Sequence, residues 1–219
     1  TILASAKRER IIPFNVAVEH MKAPKAEHKE PCYLDDEQAR AFLLAAMGEE
    51  DIRHRAFLIL ALYTGLRRGE LCGLEWPDID EPHGLVHVLR ASQYQEGIGI
   101  ATVPTKNQSS RRAIKVPPIV FEILNEYRAW WNLEKLKAGD KWQGQQLRLF
   151  TQRDGAPINP ETLNFWLDRF TKKHGLPRIT PHGLRHTFAT LQIAAGVDIR
   201  TLQSRTGHAQ ASTLTDIYT

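Results

Sequence analysis

The chain has 219 residues, 42% apolar and 25% charged side chains, a formal net charge of +4 and a pI of about 9.1, values ordinary for a globular protein with one full domain and an appendage. No apolar run approaches the roughly 20 residues of a membrane span, and no signal peptide opens the sequence. Two cysteines, Cys32 and Cys72, are too few for a disulfide framework, so reduced thiols in a cytosol are expected, and with no Cys or His cluster at ligand spacing no structural zinc site is expected.

Thr1 stands where a methionine would begin a protein, which predicts an excised fragment. Ala4 to Arg10 reads as a helix end that breaks at Ile12-Pro13. Residues 21–31 mix charge with two prolines and offer almost nothing to bury, so they read as a linker between residues 1–20, the remnant of a preceding domain, and a main domain over 32–219. Asp35 with Gln38 forms a capping-box-like start, after which Ala39, Phe42, Leu43 and Ala46 recur at helical spacing. A second apolar helix runs from about Ile52 to Tyr63, and a short third one from Arg67 to Leu74.

Between Leu85 and Val116 the texture changes to short β-type runs: Leu85 to Leu89, Ile98 to Val103 and Arg112 to Val116. They predict one small three-stranded antiparallel sheet with Lys106 in the turn between its last two strands. A long amphipathic helix follows Pro117-Pro118 to about Leu136, another lies behind Pro160 to His174, and Pro181 to Ala195 and Asp198 to Thr206 continue the helical pattern, with a final turn near Tyr218. The fold class is therefore α+β and mostly helical. Trp130, Trp131, Trp142 and Trp166 fall on helical faces or beside them and read as packing residues.

Charge is unevenly placed. Lys106, Arg111, Arg112 and Lys115 form one basic block, and Arg169, Lys172, Lys173, Arg178 and Arg185 a second, neither containing an acid. Such blocks repel unless they are solvated or face a polyanion, so double-stranded DNA is the expected partner, with Arg111, Arg112, Lys172 and Lys173 as contacts to its backbone.

Thr180 is a suitable N-cap and Pro181 a good first helical residue, which puts His182 and Arg185 on one face of the first turn. Unpaired N–H groups and the positive end of the helix dipole make such a turn an anion site, and the planar fork of arginine fits phosphate oxygens. Arg67 and Glu70, also three apart, are either a surface ion pair or a carboxylate that orients its arginine. His208 after Gly207 reads by itself as a capping or packing residue, Tyr218 as an aromatic near a chain end, and His186 as structural.

Together, Thr64-Gly65-Leu66-Arg67-x-x-Glu70-Leu71, His182-x-Leu184-Arg185-His186, Gly207-His208 and Ile217-Tyr218-Thr219 resemble the tyrosine recombinases, or phage-type integrases, in content and order over residues 32–219. Arg10 to Asn15 also looks like the end of that family's core-binding domain. The resemblance implies the mixed helical fold that the family shares with type IB topoisomerases. It implies that Arg67 and Arg185 clamp a scissile phosphate, Tyr218 attacks it to give a 3′-phosphotyrosine, and His182 acts as general base. Lys106, with Lys115 as the fallback, would protonate the leaving 5′-oxygen, His208 would hydrogen-bond the phosphate and Glu70 would support the site. No metal or other cofactor is implied.

The same resemblance implies a tetrameric synapse on DNA for a full-length protein in the bacterial cytosol at the nucleoid, and no membrane. With the chain ending right after Tyr218, a monomer of weak activity is expected. Residues 105–112 and 207–213 look most like integrases of prophages or conjugative elements. A type IB topoisomerase-like relaxing enzyme and a catalytically inactive DNA-binding module are the competing readings. Presence of the whole polar set speaks against the second.

Overall fold

In the computed structural model, which describes residues 2–15, 17, 32–104, 111–144 and 147–206, the chain divides into two units, Thr1–Glu30 and Pro31–Thr219. The first unit carries helix α1 (Ile2–Arg8), which buries none of its residues. It ends where Arg10 takes a left-handed φ of 59° and the Ile11 amide donates to Ala6 O at 2.9 Å, a closure that glycine usually provides.

The second unit is built on helices that the sequence punctuates clearly. At the start of α2 (Asp36–Met47), the Gln38 amide donates to Asp35 Oδ1 at 2.8 Å and the Asp35 amide to Gln38 Oε1 at 3.2 Å, the reciprocal capping box expected there. Helix α3 (Ile52–Thr64) is capped by Asp51 and stops at Gly65. Every residue from Ala56 through Leu62 is buried, and a helix apolar all round belongs at the centre of a core. It packs against α2, α5 (Pro118–Ala138) and α7 (Pro181–Ala194), each fully buried leucine or phenylalanine contributing roughly 1.5–3 kcal/mol. Beside it Trp76, Tyr127, Trp131 and Phe150 form a buried aromatic run, anchored where Tyr127 Oη donates to Leu149 O at 2.7 Å. Trp130, Trp142 and Trp166 pack against this core.

A three-stranded antiparallel sheet is present, but its membership differs from the sequence expectation. Strand β2 (Leu85–Val88) pairs with β1 (Ile79–Asp80) on one side and directly with β5 (Arg112–Lys115) on the other. The run near Ile98 becomes β4 (Gly99–Pro104) and pairs with β3 (Arg90–Gln95) in a separate two-stranded ladder. The strands flanking Lys106 in sequence are therefore not partners. Strand β3, Arg-Ala-Ser-Gln-Tyr-Gln, shows no apolar alternation, because its position rests on ladder bonds and on a close helix. That helix is α4 (Arg68–Gly73). A Cβ on Gly69 would stand 2.8 Å from Ser92 O, and one on Gly73 2.8 Å from Arg90 O, so two glycines four apart let α4 lie on the β3 backbone.

Helix α6 (Pro160–Lys173) and helix α8 (Ile199–Thr206) complete the described part. Leu202 of α8 is buried with Phe188 and Ala189 of α7. Lys106, His208, Tyr218 and the expected final turn lie outside the described residues. Among the described residues, no helix is long and apolar enough to cross a membrane.

Candidate active site

Gly65 turns the chain out of α3 with φ 57°, and Arg67 then occupies the N-cap position of α4. Glu70, in the first turn of α4, reaches back to accept the Arg67 amide at 2.8 Å and Arg67 Nη1 at 3.0 Å. Far from being a surface pair, the Glu70 side chain is 5% exposed, and its other partner comes from β5. Arg112 Nη1 donates to Glu70 Oε1 at 3.0 Å and Arg112 Nη2 to Glu70 Oε2 at 2.8 Å. Each carboxylate oxygen thus takes one donor from each arginine. Burial alone would raise the Glu70 pKa, but the hydrogen bonds and charge of Arg112, with Arg67 behind them, hold it below its ordinary value.

Arg112 is the main correction to the charge-block reading. Expected as a DNA-backbone contact, it has a side chain only 5% exposed, and its guanidinium is turned inward onto Glu70. Its Nε also donates to Arg205 O, at 2.6 Å, near the end of α8.

Helix α7 begins as the sequence predicts. Thr180 Oγ1 accepts the Gly183 amide at 3.1 Å, with Pro181 in the first turn. Arg185, 1% exposed, sends Nη1 to Gly65 O at 2.9 Å and Nη2 to Thr206 O. The second arginine is thereby pinned to the turn that carries the first. His182 stays exposed on the same helix, and its Nε2 lies 2.9 Å from Nε2 of His186, the rings nearly perpendicular at 89°. Burial lowers the His182 pKa, and the charges of Arg185 and Arg67 lower it further. Both effects favour the neutral form of the ring, which can accept a proton.

These elements bring Arg67, Glu70, His182 and Arg185 into one cationic neighbourhood, together with Arg112 and His186, which sequence reasoning had placed elsewhere. The four-residue spacing of His182 and His186 on a helix was a usable signal; Arg112 and Glu70, far apart in the chain, offered none. Residues 33–219 match the phage integrase family. The chain belongs to the phage integrase family.

Relatives of this integrase-family chain include the tyrosine recombinase XerC of Xylella fastidiosa (strain M23), 31% identical over 201 residues, covering 91% of this chain and 59% of that protein. The tyrosine recombinase XerA of Pyrococcus furiosus is 30% identical over 209 residues, covering 94% and 63%. Among solved structures, the Tn1549 transposon integrase in complex with transposon right end DNA aligns with a TM-score of 0.74 at 26% identity, over 94% of this chain and 66% of that one. The crystal structure of XerA recombinase aligns at 0.66 and 28%, over 90% and 61%. The chain thus spans roughly three-fifths of the curated relatives it matches.

The remaining residues of the integrase-family chain singled out from sequence lie apart from this cluster or carry acidic neighbours. Arg111 is exposed beside a cavity that it lines with Leu89, Arg90 and Thr102. Lys172 pairs with Asp168 at 2.8 Å and Lys173 with Glu49 at 3.3 Å, so the second basic block acquires acids in space that it lacks between residues 169 and 185. Lys115 lines a cavity of about 420 Å³ with Asp36, Arg40, Tyr63 and Phe188. Arg68 pairs with Glu161 at 2.6 Å. Among the described residues no group of three or more His, Cys, Asp or Glu is placed to hold a metal ion.

The histidines give this integrase-family domain a pH signature. Burial, then the His182 ring and Arg185, pushes His186 from 6.5 down to about 4; His54 and His182 are lowered too, chiefly by burial. Between those two values the unfolded chain binds a proton that the folded His186 refuses, so stability rises with pH across that window and falls on acidification. The urea midpoint is expected to drop as pH falls from 6.5 toward 4, and His186→Gln to shrink that drop. An equal drop in both proteins would show that His186 titrates normally.

Proposed function

We propose that this chain is the catalytic part of a site-specific DNA recombinase that cuts and rejoins strands through a 3′-phosphotyrosine intermediate. The observation that carries this reading is the pinning of Arg185 to Gly65 O, two residues from Arg67, beside a His182 whose pKa is lowered by burial and further by these two charges. Two guanidiniums and a neutral imidazole are what an in-line attack on a phosphodiester requires: charge stabilisation for the pentavalent phosphorus and a proton acceptor for the nucleophile. The resemblance to XerC and XerA, both named tyrosine recombinases, supports the same assignment.

In this mechanism Arg67 and Arg185 grip the non-bridging oxygens of the scissile phosphate, with Glu70 orienting Arg67. Tyr218 Oη attacks phosphorus while its proton passes to His182. The P–O5′ bond breaks, Lys106 protonates the departing 5′-oxygen, and His208 hydrogen-bonds the phosphoryl group. One phosphodiester has been exchanged for another, so the 5′-hydroxyl of a second strand can reverse the step with little change in free energy, and no cofactor enters the balance.

Residues 32–219 form the catalytic domain in this reading, 1–20 the remnant of a core-binding domain and 21–31 the linker between them. Double-stranded DNA is the partner, with Arg111, Lys172 and Lys173 along its backbone, and a tetramer on DNA the working assembly, in the bacterial cytosol at the nucleoid. Likeness to a transposon integrase solved on transposon DNA favours a mobile element as the source.

The test is a nicked suicide duplex, chosen from a random-sequence library by binding to the chain, followed by denaturing electrophoresis with Tyr218→Phe alongside. A protease-sensitive covalent band is expected from the wild type and none from the variant, at unchanged DNA affinity. A band that survives in Tyr218→Phe removes the nucleophile assignment; tight binding without any wild-type band favours a binding module. Relaxation of a plasmid that lacks the selected sequence points instead to a topoisomerase.

A further inference from the structure

Arg112 does not sit where a DNA contact sits, and its bonds reach two places at once. Its terminal nitrogens span both oxygens of Glu70, at 3.0 and 2.8 Å, while Nε turns to Arg205 O at 2.6 Å. Glu70 passes the connection on, accepting the amide and Nη1 of Arg67. At the other end, Arg205 O and Thr206 O are carbonyls of α8. Arg112 takes the first and Arg185 the second, so two guanidiniums hold neighbouring carbonyls of α8. From Thr206 the chain runs on to His208 and Tyr218.

We propose that Arg112 is a positioning residue: through Glu70 it sets the Arg67 fork, and through Arg205 O it ties that fork to α8. This inference rests on the recombinase reading above. Arginine is required because the three bonds need a planar fork with a third donor on its flank, whereas an ammonium offers one point charge. Stability alone is a poor reason for such a group. Burying a carboxylate between guanidiniums gains about as much Coulomb energy as it loses in hydration, and apolar residues often serve a core equally well. What the pair supplies is a fixed geometry between β5, α4 and α8, and a displacement of about 1 Å remote from the chemistry can slow a reaction roughly 10²-fold.

The experiment compares wild type, Arg112→Ala and Arg112→Lys on the library-selected nicked duplex, reading single-turnover adduct formation, DNA affinity at several salt concentrations and the folded fraction by circular dichroism. Both variants are expected to form adduct on the order of 10²-fold more slowly per folded molecule, with affinity and its salt slope unchanged. Low-millimolar guanidinium is expected to restore part of the rate in Arg112→Ala, by refilling the emptied site, and to leave the wild type unaffected. A wild-type rate in the folded variants overturns the proposal, as does weaker binding with a shallower salt slope, which would make Arg112 a phosphate contact. Should Arg112→Ala fail to fold, Arg112→Lys, which keeps the charge, decides on the same criteria. A wild type that forms no adduct overturns the recombinase reading and this inference with it, whereas a normal wild-type adduct matched by the variants overturns this inference alone.

Discussion

Replacing Glu70 by alanine is expected to lower the unfolding free energy by about 3–5 kcal/mol, because it removes one partner of a buried ion pair. The Arg112 head would face the interior with its bidentate partner gone, and the Arg67 amide would lose its acceptor at the start of α4. Glu70→Gln keeps the volume but puts an NH₂ group where an oxygen now accepts from both arginines, so it should be damaging as well, though less so. Urea unfolding at neutral pH measures both, and a cost for alanine below about 1 kcal/mol, the range of exposed pairs, would mean that water enters the pair. The effect has a predictable pH dependence. The folded Glu70 pKa lies below its ordinary value of 4.5, so its stabilising contribution is complete above that value and fades as pH drops through the folded pKa. The difference between wild type and Glu70→Gln should therefore narrow under acid.

Arg185 is the position with the largest expected effect on activity. Arg185→Lys retains a positive charge but cannot hold Gly65 O and Thr206 O with the two arms of one planar group while also meeting a phosphate. Adduct formation on the nicked duplex is expected to fall by roughly 10²–10³-fold, the scale of one lost donor to a developing oxyanion. Arg185→Ala should lose more and also destabilise the fold, since it leaves two buried carbonyls without this donor at about 1–3 kcal/mol each. Rapid-quench measurement of the lysine variant separates the two effects, because its folded state retains one donor. A loss smaller than tenfold would place the phosphate elsewhere.

Much of the helical frame was legible from residues close together in the chain. The Asp35–Gln38 capping box, the apolar run from Ala56 to Leu62 ended by Gly65, and the prolines that open α5, α6 and α7 all act within one or two turns. The sheet was legible only in part. Leu85–Val88 and Arg112–Lys115 advertise themselves as short β-type runs with apolar residues, whereas Arg90–Gln95 does not, since its place depends on Gly69 and Gly73 allowing α4 to approach its backbone. The packing role read for Trp130, Trp131, Trp142 and Trp166 matches the structure, with Trp131 buried and the others packed against the core, because large aromatic surface finds its lowest free energy there.

For the candidate site, the sequence by itself determined which chemical groups the chain possesses and which helical turn presents His182 and Arg185. Helical spacing and capping are local, and they survive whatever the rest of the chain does. Only the tertiary structure decided that Arg185 rests against the turn of Arg67, that His182 and His186 share a 2.9 Å contact, and that Arg112 turns inward to Glu70 instead of outward to a polyanion. A charge in a sequence carries no label for its partner. Glu70 and Arg112 meet because α4 lies on β3 while β5 pairs with β2, and the cost of burying either charge alone makes their meeting obligatory.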